Sequence, residues 1–329
     1  MILSSNKAIS SALCCLIATV AFCPVQQAVA QAYPVKPVRI VVPYPPGGTT
    51  DILTRLLGQK LGETWGQQVI IDNRAGASGN IGAEAVVRSP GDGYMLLSAS
   101  TVHTVNPSLY RKLAYDPLKD FTAITLLAQV ANILVVHPSL PVGSVRELIS
   151  FAKQRPGQLN YSSAGNGSAP HLTAEMFKMG TGINIVHVPY KGAAPAMADL
   201  LAGHVALTFA TAPSAVPHVQ ARRLRALGVS SAKRIPALPE VPAIAEAGVP
   251  GYEAIGWNGL TGPAGMPQPV LDRINADTVK ILNAPDVSRR LSDLGLEPRT
   301  STPAEFGAFL RSEVVKWAKV VKDSGARVD

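Results

Sequence analysis

Apolar runs along the chain alternate with glycine-rich loops and amphipathic segments. The first run, "VRIVV", is followed by the loop "PYPPGGTTD" and then by "DILTRLLGQKL", whose leucines fall on one helical stripe. Two further strand candidates are "QQVIIDN" and "YMLLSAS", with the helix candidate "IGAEAVVRS" between them. We interpret the next segment, "TVHTVNPS", as a loop. The alternation predicts an α/β architecture with largely parallel sheets.

A long segment in the middle of the chain, residues 121–145, has no charged side chain unless His137 is protonated. A membrane span there would have to accommodate Gln129, Asn132 and two prolines. Its valine, isoleucine and threonine content favours buried strands instead. We predict a strand that leads into a crossover between two lobes.

The second half of the chain repeats the order of strand, loop and helix. One such unit is "GQLNYSSAGNGSAPHLTAEMF", with Pro170 in the first helical turn, where its missing N–H costs nothing. Another is "INIVHVPYKGAAPAMADLLAGHVALTFA", with Gly203 placed where a helix would end. The pattern predicts a second lobe over residues 131–251.

The last part of the chain predicts a returning strand, "GYEAIGWNGLTGP", and then helices. Two helices are expected at Gln268–Asn283 and Asp286–Leu294. The final helix begins with a capping box between Thr302 and Glu305. We expect these helices to complete the first lobe, which then comprises residues 31–130 and 252–329.

The first thirty residues have the layout of a secretory signal peptide. Lys7 is followed by the apolar run Ala12–Cys23 and by small residues that allow cleavage after Ala30 or after Ala32. The apolar run is shorter than the roughly 20 residues that span a bilayer. All three cysteines of the chain lie in this segment, so disulfides and thiolate chemistry are excluded for the mature protein. We predict an exported, periplasmic protein.

The charge balance favours small anions over nucleic acid. Without Lys7, the chain has 29 basic and 22 acidic residues, a net charge of +7. The only tight basic cluster is Arg222, Arg223 and Arg225, and aromatic residues on which bases could stack are scarce. A general positive bias attracts small anions.

Four loops that follow strands could bind such an anion: Pro45–Asp51, Ala75–Gly79, Ala164–Ser168 and Tyr190–Ala194. The N–H groups of a first helical turn have no internal partner, and the helix dipole makes that end positive. Glycine allows close approach to a ligand, and carboxylates bind at such ends. A single loop of this kind could serve only to turn the chain. Asp51 would repel an anion, and we expect it to cap its own helix and face away.

Enzymatic motifs are absent from the sequence. It contains no phosphate-binding G-x-x-x-x-G-K-[ST] loop, no G-x-S-x-G elbow and no histidine spacing that suits a metal. We therefore predict a binding protein with no catalytic residue, no cofactor and no metal. An exported hydrolase of small esters or amides is the alternative.

Several segments together resemble a known family. They are "YPVKPVRIVVPYPPGGTTD", "NRAGASGNIGAEAV", "PGDGY", "VPYKGAAPAMADLLAGHV" and "GWNGLTGPAGMP". In this order they resemble the Bug-type substrate-binding proteins of tripartite tricarboxylate transporters. The resemblance implies a periplasmic receptor with the two-lobed Venus-flytrap fold (type II), an α/β architecture whose lobes are joined by crossover strands.

The resemblance also implies a ligand, a partner and a set of contacts. The ligand would be a small carboxylate, an organic or amino acid, held mainly by backbone amides and hydroxyls. The partners would be membrane transporter subunits, bound transiently by a monomer, with no role for nucleic acid. A sensor subunit that presents its ligand to a signalling kinase would have the same sequence features. Asp199 matches a family aspartate of architectural role. Together with Ser78 from the second loop, the ligand contacts would be Gly47, Gly48, Thr49, Thr50, Ser100 and Thr101 in the first lobe, and Gly165, Gly167, Ser168, Tyr190, Lys191, Gly192 and Ala193 in the second.

Overall fold

The computed structural model of this protein describes residues 33–325. The predicted signal peptide and both of its cleavage positions lie outside the described residues. The described part forms one compact unit. Among these residues, no helix is long and apolar enough to cross a membrane.

Strands and helices alternate along most of the described chain. A short 3-10 turn at Ala77–Gly79 precedes the second helix. The strands are β1 Val38–Val42, β2 Val69–Asn73, β3 Met95–Ser100, β4 Phe121–Val136, β5 Asn160–Ser163, β6 Val186–Pro189, β7 Leu207–Thr211, β8 Arg225–Val229, β9 Ile255–Pro263 and β10 Leu296–Pro298. The helices are α1 Thr49–Trp65, α2 Asn80–Val87, α3 Thr101–Leu109, α4 Val145–Gln154, α5 Ala169–Thr181, α6 Ala193–Leu201, α7 Ala212–Gln220, α8 Gln268–Leu282, α9 Pro285–Asp293 and α10 Pro303–Ser324.

The strands are hydrogen-bonded in the order β2-β1-β3-β9-β4-β7-β5-β6, with β8 and β10 also paired to β4. The two ends of this order are parallel: β1 pairs with β2 and β3, and β5 pairs with β6 and β7. The centre is antiparallel, because β9 runs against both β3 and β4. The prediction of largely parallel sheets is therefore wrong at the centre, where long strands carry the chain across and back.

The uncharged segment in the middle of the chain forms β4, which confirms the predicted strand. Residues 121–131 of β4 pair with β9, whereas residues 132–136 pair with β7 and β8. The change of partners falls at Asn132, whose backbone N–H donates to Ser230 Oγ at 2.8 Å. β4 thus connects the two halves of the strand order.

The helices pack on the strands through the apolar stripes seen in the sequence. In α1, Leu53, Leu57 and Leu61 are fully buried in one cluster with Val38 and Ile40 of β1. Burial of each such leucine contributes roughly 1.5–3 kcal/mol. This packing fixes the position of the N-terminus of α1, which begins the candidate site.

One local prediction is wrong: the segment "TVHTVNPS" is helical and forms most of α3. Its β-branched residues and the internal Pro107 argue for a loop locally. Tertiary packing decides otherwise, because Val105 and Leu109 are buried against Leu172 of α5 and Trp317 of α10. The elements α4, α7, β8 and β10 were not predicted.

Candidate functional site

The N-termini of five helices, α1, α3, α5, α6 and α7, meet at one cavity, which we call the inner cavity. In the order of elements along the chain, each of these helices comes next after a strand. In open α/β sheets, ligands bind beyond the carboxyl ends of the strands. The inner cavity is lined by Tyr44, Pro45, Gly48, Thr49, Thr50, Ser100, Thr101, Val102, Val130, Ala164, Ser168, Ala169, Pro170, Ala193, Thr211, Gly256, Trp257 and Asn258.

Four of these five helix ends have no side-chain cap. The N-cap residues of α1, α3, α6 and α7 are Gly48, Ser100, Gly192 and Thr211, and none of them accepts a hydrogen bond from a first-turn backbone N–H through a side chain. Only α5 is capped, by Ser168, whose Oγ accepts from the His171 N–H. The free first-turn amides and the aligned helix dipoles give the inner cavity a positive potential without a cationic side chain.

The first loop is built around two glycines and a buried carboxylate. Gly47 has φ of 89°, a left-handed conformation that favours glycine. Asp51 is 3% exposed, and its carboxylate accepts from the Gly47 N–H, from Arg55 Nε and from Asn73 Nδ2 at 2.9–3.0 Å. Burial alone would raise the pKa of Asp51, but these hydrogen bonds lower it below its usual value.

Asp51 is therefore ionised and turned towards Arg55, and it does not line the inner cavity. The prediction that it caps its own helix is wrong in detail. The amide that it accepts from belongs to Gly47, one residue before the N-cap Gly48.

No lysine, arginine, histidine, aspartate or glutamate of the described chain lines the inner cavity. Its one side chain with a shifted pKa is Tyr44. Burial raises the pKa of Tyr44 to about 12, against the opposite effect of a hydrogen bond with Ser100. The two hydroxyl oxygens are 2.9 Å apart. The phenol is neutral, so the polar lining consists of hydroxyls, backbone groups and the Asn258 amide.

A larger opening, the outer cleft, adjoins the inner cavity and shares Tyr44, Pro45 and Ser168 with it. Lys191 is its only charged lining residue among the described ones, and its side chain is exposed. Its full lining is Pro43, Tyr44, Pro45, Ala75, Gly76, Ala77, Ser78, Gly79, Val102, Ala164, Gly165, Asn166, Ser168, Pro189, Tyr190, Lys191 and Gly192.

Tyr190, in the outer cleft, has a hydroxyl that is already engaged. It donates to Asp199 Oδ2 at 2.5 Å, and this bond, with a smaller effect of burial, raises the pKa of Tyr190 to about 12. Asp199 also lies 3.4 Å from His204 Nδ1. These contacts agree with the architectural role expected for Asp199.

The structure brings most of the predicted ligand contacts together. The exceptions are Gly47 and Gly167, which line neither opening. A Cβ on Gly167 would lie 2.2 Å from Leu109 Cδ1, so this glycine allows close packing against α3. Seven predicted residues line the inner cavity: Gly48, Thr49, Thr50, Ser100, Thr101, Ser168 and Ala193. Ser78, Gly165, Tyr190, Lys191 and Gly192 line the outer cleft.

Two hydrogen bonds join the sides of these openings. Thr49 Oγ1 donates to Thr211 Oγ1 at 2.7 Å, and Ser78 Oγ donates to the Asn166 carbonyl at 3.1 Å. In each pair, one residue precedes β4 and the other follows it. The two parts of the chain therefore meet directly at the site.

Three residues that bring a hydroxyl or side-chain amide to the inner cavity were not predicted: Tyr44, Thr211 and Asn258. Asn258 is 3% exposed and accepts from Thr50 Oγ1 at 3.1 Å. It lies within β9, where no loop signals a site. Thr211 ends β7 and directly precedes α7, and this strand-to-helix junction was the available signal.

Comparison with known proteins identifies close relatives. The family model described as "Tripartite tricarboxylate transporter family receptor" matches residues 53–326. The protein BugT of Bordetella pertussis is 36% identical over 301 residues, which cover 91% of this chain and 92% of BugT.

Solved structures of similar proteins share the fold. A Rhodopseudomonas palustris protein described as Rpa4515 with adipate has a TM-score of 0.88 at 42% identity, covering 90% of this chain and all of that one. MatC from the same organism, described with bound malate, has a TM-score of 0.83 at 31% identity, covering 88% of this chain and all of that one.

Proposed function

This chain belongs to the tripartite tricarboxylate transporter receptor family, and from that premise we propose that its inner cavity binds the carboxylate group of a small organic acid. The observation that carries the proposal is the meeting of five helix N-termini at a cavity without charged side chains. Helix N-termini of this kind favour anions. The adipate and malate described for the two R. palustris relatives agree with this class of ligand.

The free energies of typical interactions indicate that several loops must bind the same ligand. Micromolar binding needs roughly 8 kcal/mol. One helix end contributes about 0.3–1 kcal/mol, and up to about 2 when partly buried. Charge-assisted hydrogen bonds contribute about 1.5–3 kcal/mol each. One loop is too weak, but amides from α1, α3 and α6 acting on the same carboxylate are sufficient.

The proposed contacts of the carboxylate are the amides and hydroxyls of the inner cavity, with Gly48 and Ala193 on opposite sides. A Cβ on Gly48 would lie 3.9 Å from the Ala193 Cβ. The remaining lining includes Val102, Val130 and Trp257, which suit an aliphatic chain. The ligand's chain then extends towards the outer cleft, past Tyr44.

Closure of two lobes around the ligand is part of the proposal. We assign residues 31–130 and 252–329 to the first lobe and residues 131–251 to the second, with β4 and β9 as connections. Ligand bonds to both lobes would stabilise the closed form over the open one. In this proposal the bond between Thr49 and Thr211 belongs to the closed form, because it joins residues that we assign to different lobes.

We propose binding without chemical conversion of the ligand. The nearest approach to a nucleophile and base is Ser163 and His187, with Ser163 Oγ 2.6 Å from His187 Nε2. Ser163 is 1% exposed and lines neither opening, so a substrate in the site would not reach it. The inaccessibility of this pair argues against the hydrolase alternative.

Receptors of this family are periplasmic and work with a membrane transporter. For this chain we propose export, with the signal peptide cleaved after Ala30 or Ala32, and action as a monomer. The transporter subunits would bind it transiently and receive the ligand.

The test compares carboxylic acids with their uncharged amides. Calorimetry on the exported protein is expected to give saturable binding for at least one mono- or dicarboxylate, with the ligand recovered unchanged. The matched primary amide should bind at least roughly tenfold more weakly, a difference of about 1.4 kcal/mol. Equal affinity for acid and amide would contradict the proposal.

A further inference from the structure

A second, much smaller cavity lies behind the wall of the inner cavity, and we call it the back cavity. It leaves about 10 Å³ for the centre of a water-sized molecule. One water molecule needs roughly 10–15 Å³ measured in this way. The back cavity is lined by Pro43, Tyr44, Ser78, Gly79, Ala83, Leu97, Ala99, Ser100, Val102, His103, Asn106 and Tyr115.

Two buried atoms of its lining have no hydrogen-bond partner: His103 Nε2 and Asn106 Oδ1. The two residues are 5% and 1% exposed, and they lie three positions apart on α3. An unsatisfied polar atom of this kind costs about 1–3 kcal/mol. Buried polar atoms in proteins are generally paired, with ordered water if not with the protein.

Both atoms are acceptors. The Asn106 Nδ2 group donates to the Ser78 carbonyl at 3.1 Å and to Asn80 Oδ1 at 2.6 Å. A flipped amide would place its oxygen against these two acceptors, so Oδ1 is the amide atom left without a partner.

The His103 ring is bonded to the backbone of Pro117, which can offer only a carbonyl. The ring nitrogen at that carbonyl therefore carries the proton. Because Nε2 is the nitrogen without a partner, it has the lone pair. Burial lowers the pKa of His103 to about 4, so the ring is neutral at pH 7.

We propose that the back cavity is a binding site for one water molecule, which donates its two hydrogens to His103 Nε2 and Asn106 Oδ1. The hydroxyls of Tyr44 and Ser100 form one bond between them and have one hydrogen left to donate to the water's oxygen. Three hydrogen bonds are usual for a buried water. A cation would also meet two acceptors, but no carboxylate lines the back cavity to balance its charge.

The bound water supports the site in front of it. It fixes the amide of Asn106, which in turn holds Ser78 in a left-handed conformation with φ of 51°. Ser78 reaches Asn166 across the outer cleft. The water is thus a structural part of the wall and does not itself contact the ligand.

The direct test is a crystal structure of the exported protein, grown with sodium and again with rubidium. The expected result is one density peak within hydrogen-bonding distance of both atoms, without anomalous signal in rubidium. An empty back cavity, an anomalous peak, or side chains turned so that both atoms bond to protein groups would overturn the proposal.

A solution test uses the variants His103→Phe and Asn106→Leu, singly and together, with urea unfolding midpoints as the readout. Because one water serves both acceptors, the double variant should lower the urea midpoint by less than the sum of the two decreases seen in the single variants. Additive losses would count against a shared water. Thr278→Val is the matched control, since Thr278 Oγ1 is also buried and unpartnered but lies outside the back cavity.

The control variant is expected to leave the urea midpoint unchanged or to raise it, because it removes a buried hydroxyl that has no protein partner and does not line the back cavity. If Thr278→Val lowers the midpoint as much as His103→Phe does, the effect of His103→Phe is not specific to the back cavity. Neither test involves a carboxylate, so their failure would leave the proposed function intact.

Discussion

Gly48 combines two properties that a ligand contact at a helix start requires. Its backbone is extended, with φ of −87° and ψ of 170°, so a side chain there would cause no backbone strain. A Cβ there would meet only the Ala193 Cβ, at 3.9 Å, which is an ordinary van der Waals contact. The absence of a side chain at Gly48 therefore leaves room in the cavity and is not required by the backbone conformation. At Gly47, by contrast, the positive φ favours glycine.

Replacement of Gly48 by valine should abolish carboxylate binding and leave the fold intact. The branched side chain would occupy the space in which the carboxylate meets the amides of α1. We expect an affinity loss of at least roughly tenfold, or about 1.4 kcal/mol, by calorimetry. Unchanged affinity would count against the site.

The control for this variant is Gly62→Ala on the same helix. Gly62 lies in the interior of α1, far from the inner cavity lining, and its Cβ would meet nothing closer than 3.5 Å. Alanine there should stabilise the helix by about 0.5–1 kcal/mol and leave ligand affinity unchanged.

His103 should make the protein's stability depend on pH. Its pKa is about 4 in the folded protein, because of burial, against an ordinary value of 6.5. Between these values the unfolded chain binds the proton and the folded one does not. The free energy of unfolding should therefore fall as pH falls from 6.5 towards 4, by up to about 1.4 kcal/mol per pH unit from this group.

Urea unfolding of the wild type and of His103→Phe over this pH range provides the measurement. The variant should show a shallower slope below pH 6.5, which is the ordinary histidine value. It should keep part of the slope, since burial also lowers the pKa values of His171 and His187. Identical slopes would show that His103 does not titrate as described.

At the scale of elements, sequence reasoning succeeds where a loop separates strand from helix. The loops before α1, α5 and α6 contain glycines, and each was predicted to begin a helix at the site. In contrast, β3 runs directly into α3 at Thr101, and β7 into α7 at Ala212. Without a loop there is no glycine signal, so α3 was misread and α7 was missed, although both contribute to the inner cavity.

The contact between α1 and the end of β7 should help to hold the closed form. Thr211→Val removes the acceptor of the Thr49 hydroxyl while keeping the shape of the side chain. A neutral hydrogen bond contributes about 0.5–1.5 kcal/mol, so we expect roughly two- to tenfold weaker carboxylate binding.

The matched control is Thr64→Val, at the other end of α1. The Thr64 hydroxyl is exposed and donates to the Lys60 carbonyl within the helix. This variant should bind the ligand with unchanged affinity. If both variants lose affinity equally, the loss is not specific to the contact between Thr49 and Thr211.

At the scale of the whole molecule, topology assembles the inner cavity from distant segments. Parallel strands at both ends of the sheet order direct their carboxyl ends, and the helices that follow, to one place. The antiparallel β4 and β9 lie between them and add Val130 and Asn258 from strand interiors. No local pattern reveals such residues, because only the pairing of β9 with β3 and β4 brings them to the site.

The same arrangement separates ligand affinity from the protein's net charge of +8. Helix ends at the inner cavity act over short distances, whereas exposed charges are screened beyond about 10 Å at 0.1 M salt. Affinity should therefore change less than roughly threefold between about 0.05 and 0.5 M salt, which corresponds to less than about 0.7 kcal/mol.

The variant Arg223→Gln distinguishes attraction by helix ends from attraction by exposed side-chain charges. Arg223 is exposed and bonds to His218, and it lines neither opening. Its neutralisation should leave the calorimetric affinity for the carboxylate unchanged, because the proposed function assigns the binding to the amides of the inner cavity. A tenfold loss, or a steep dependence on salt, would mean that side-chain charge holds the anion and that the helix ends do not.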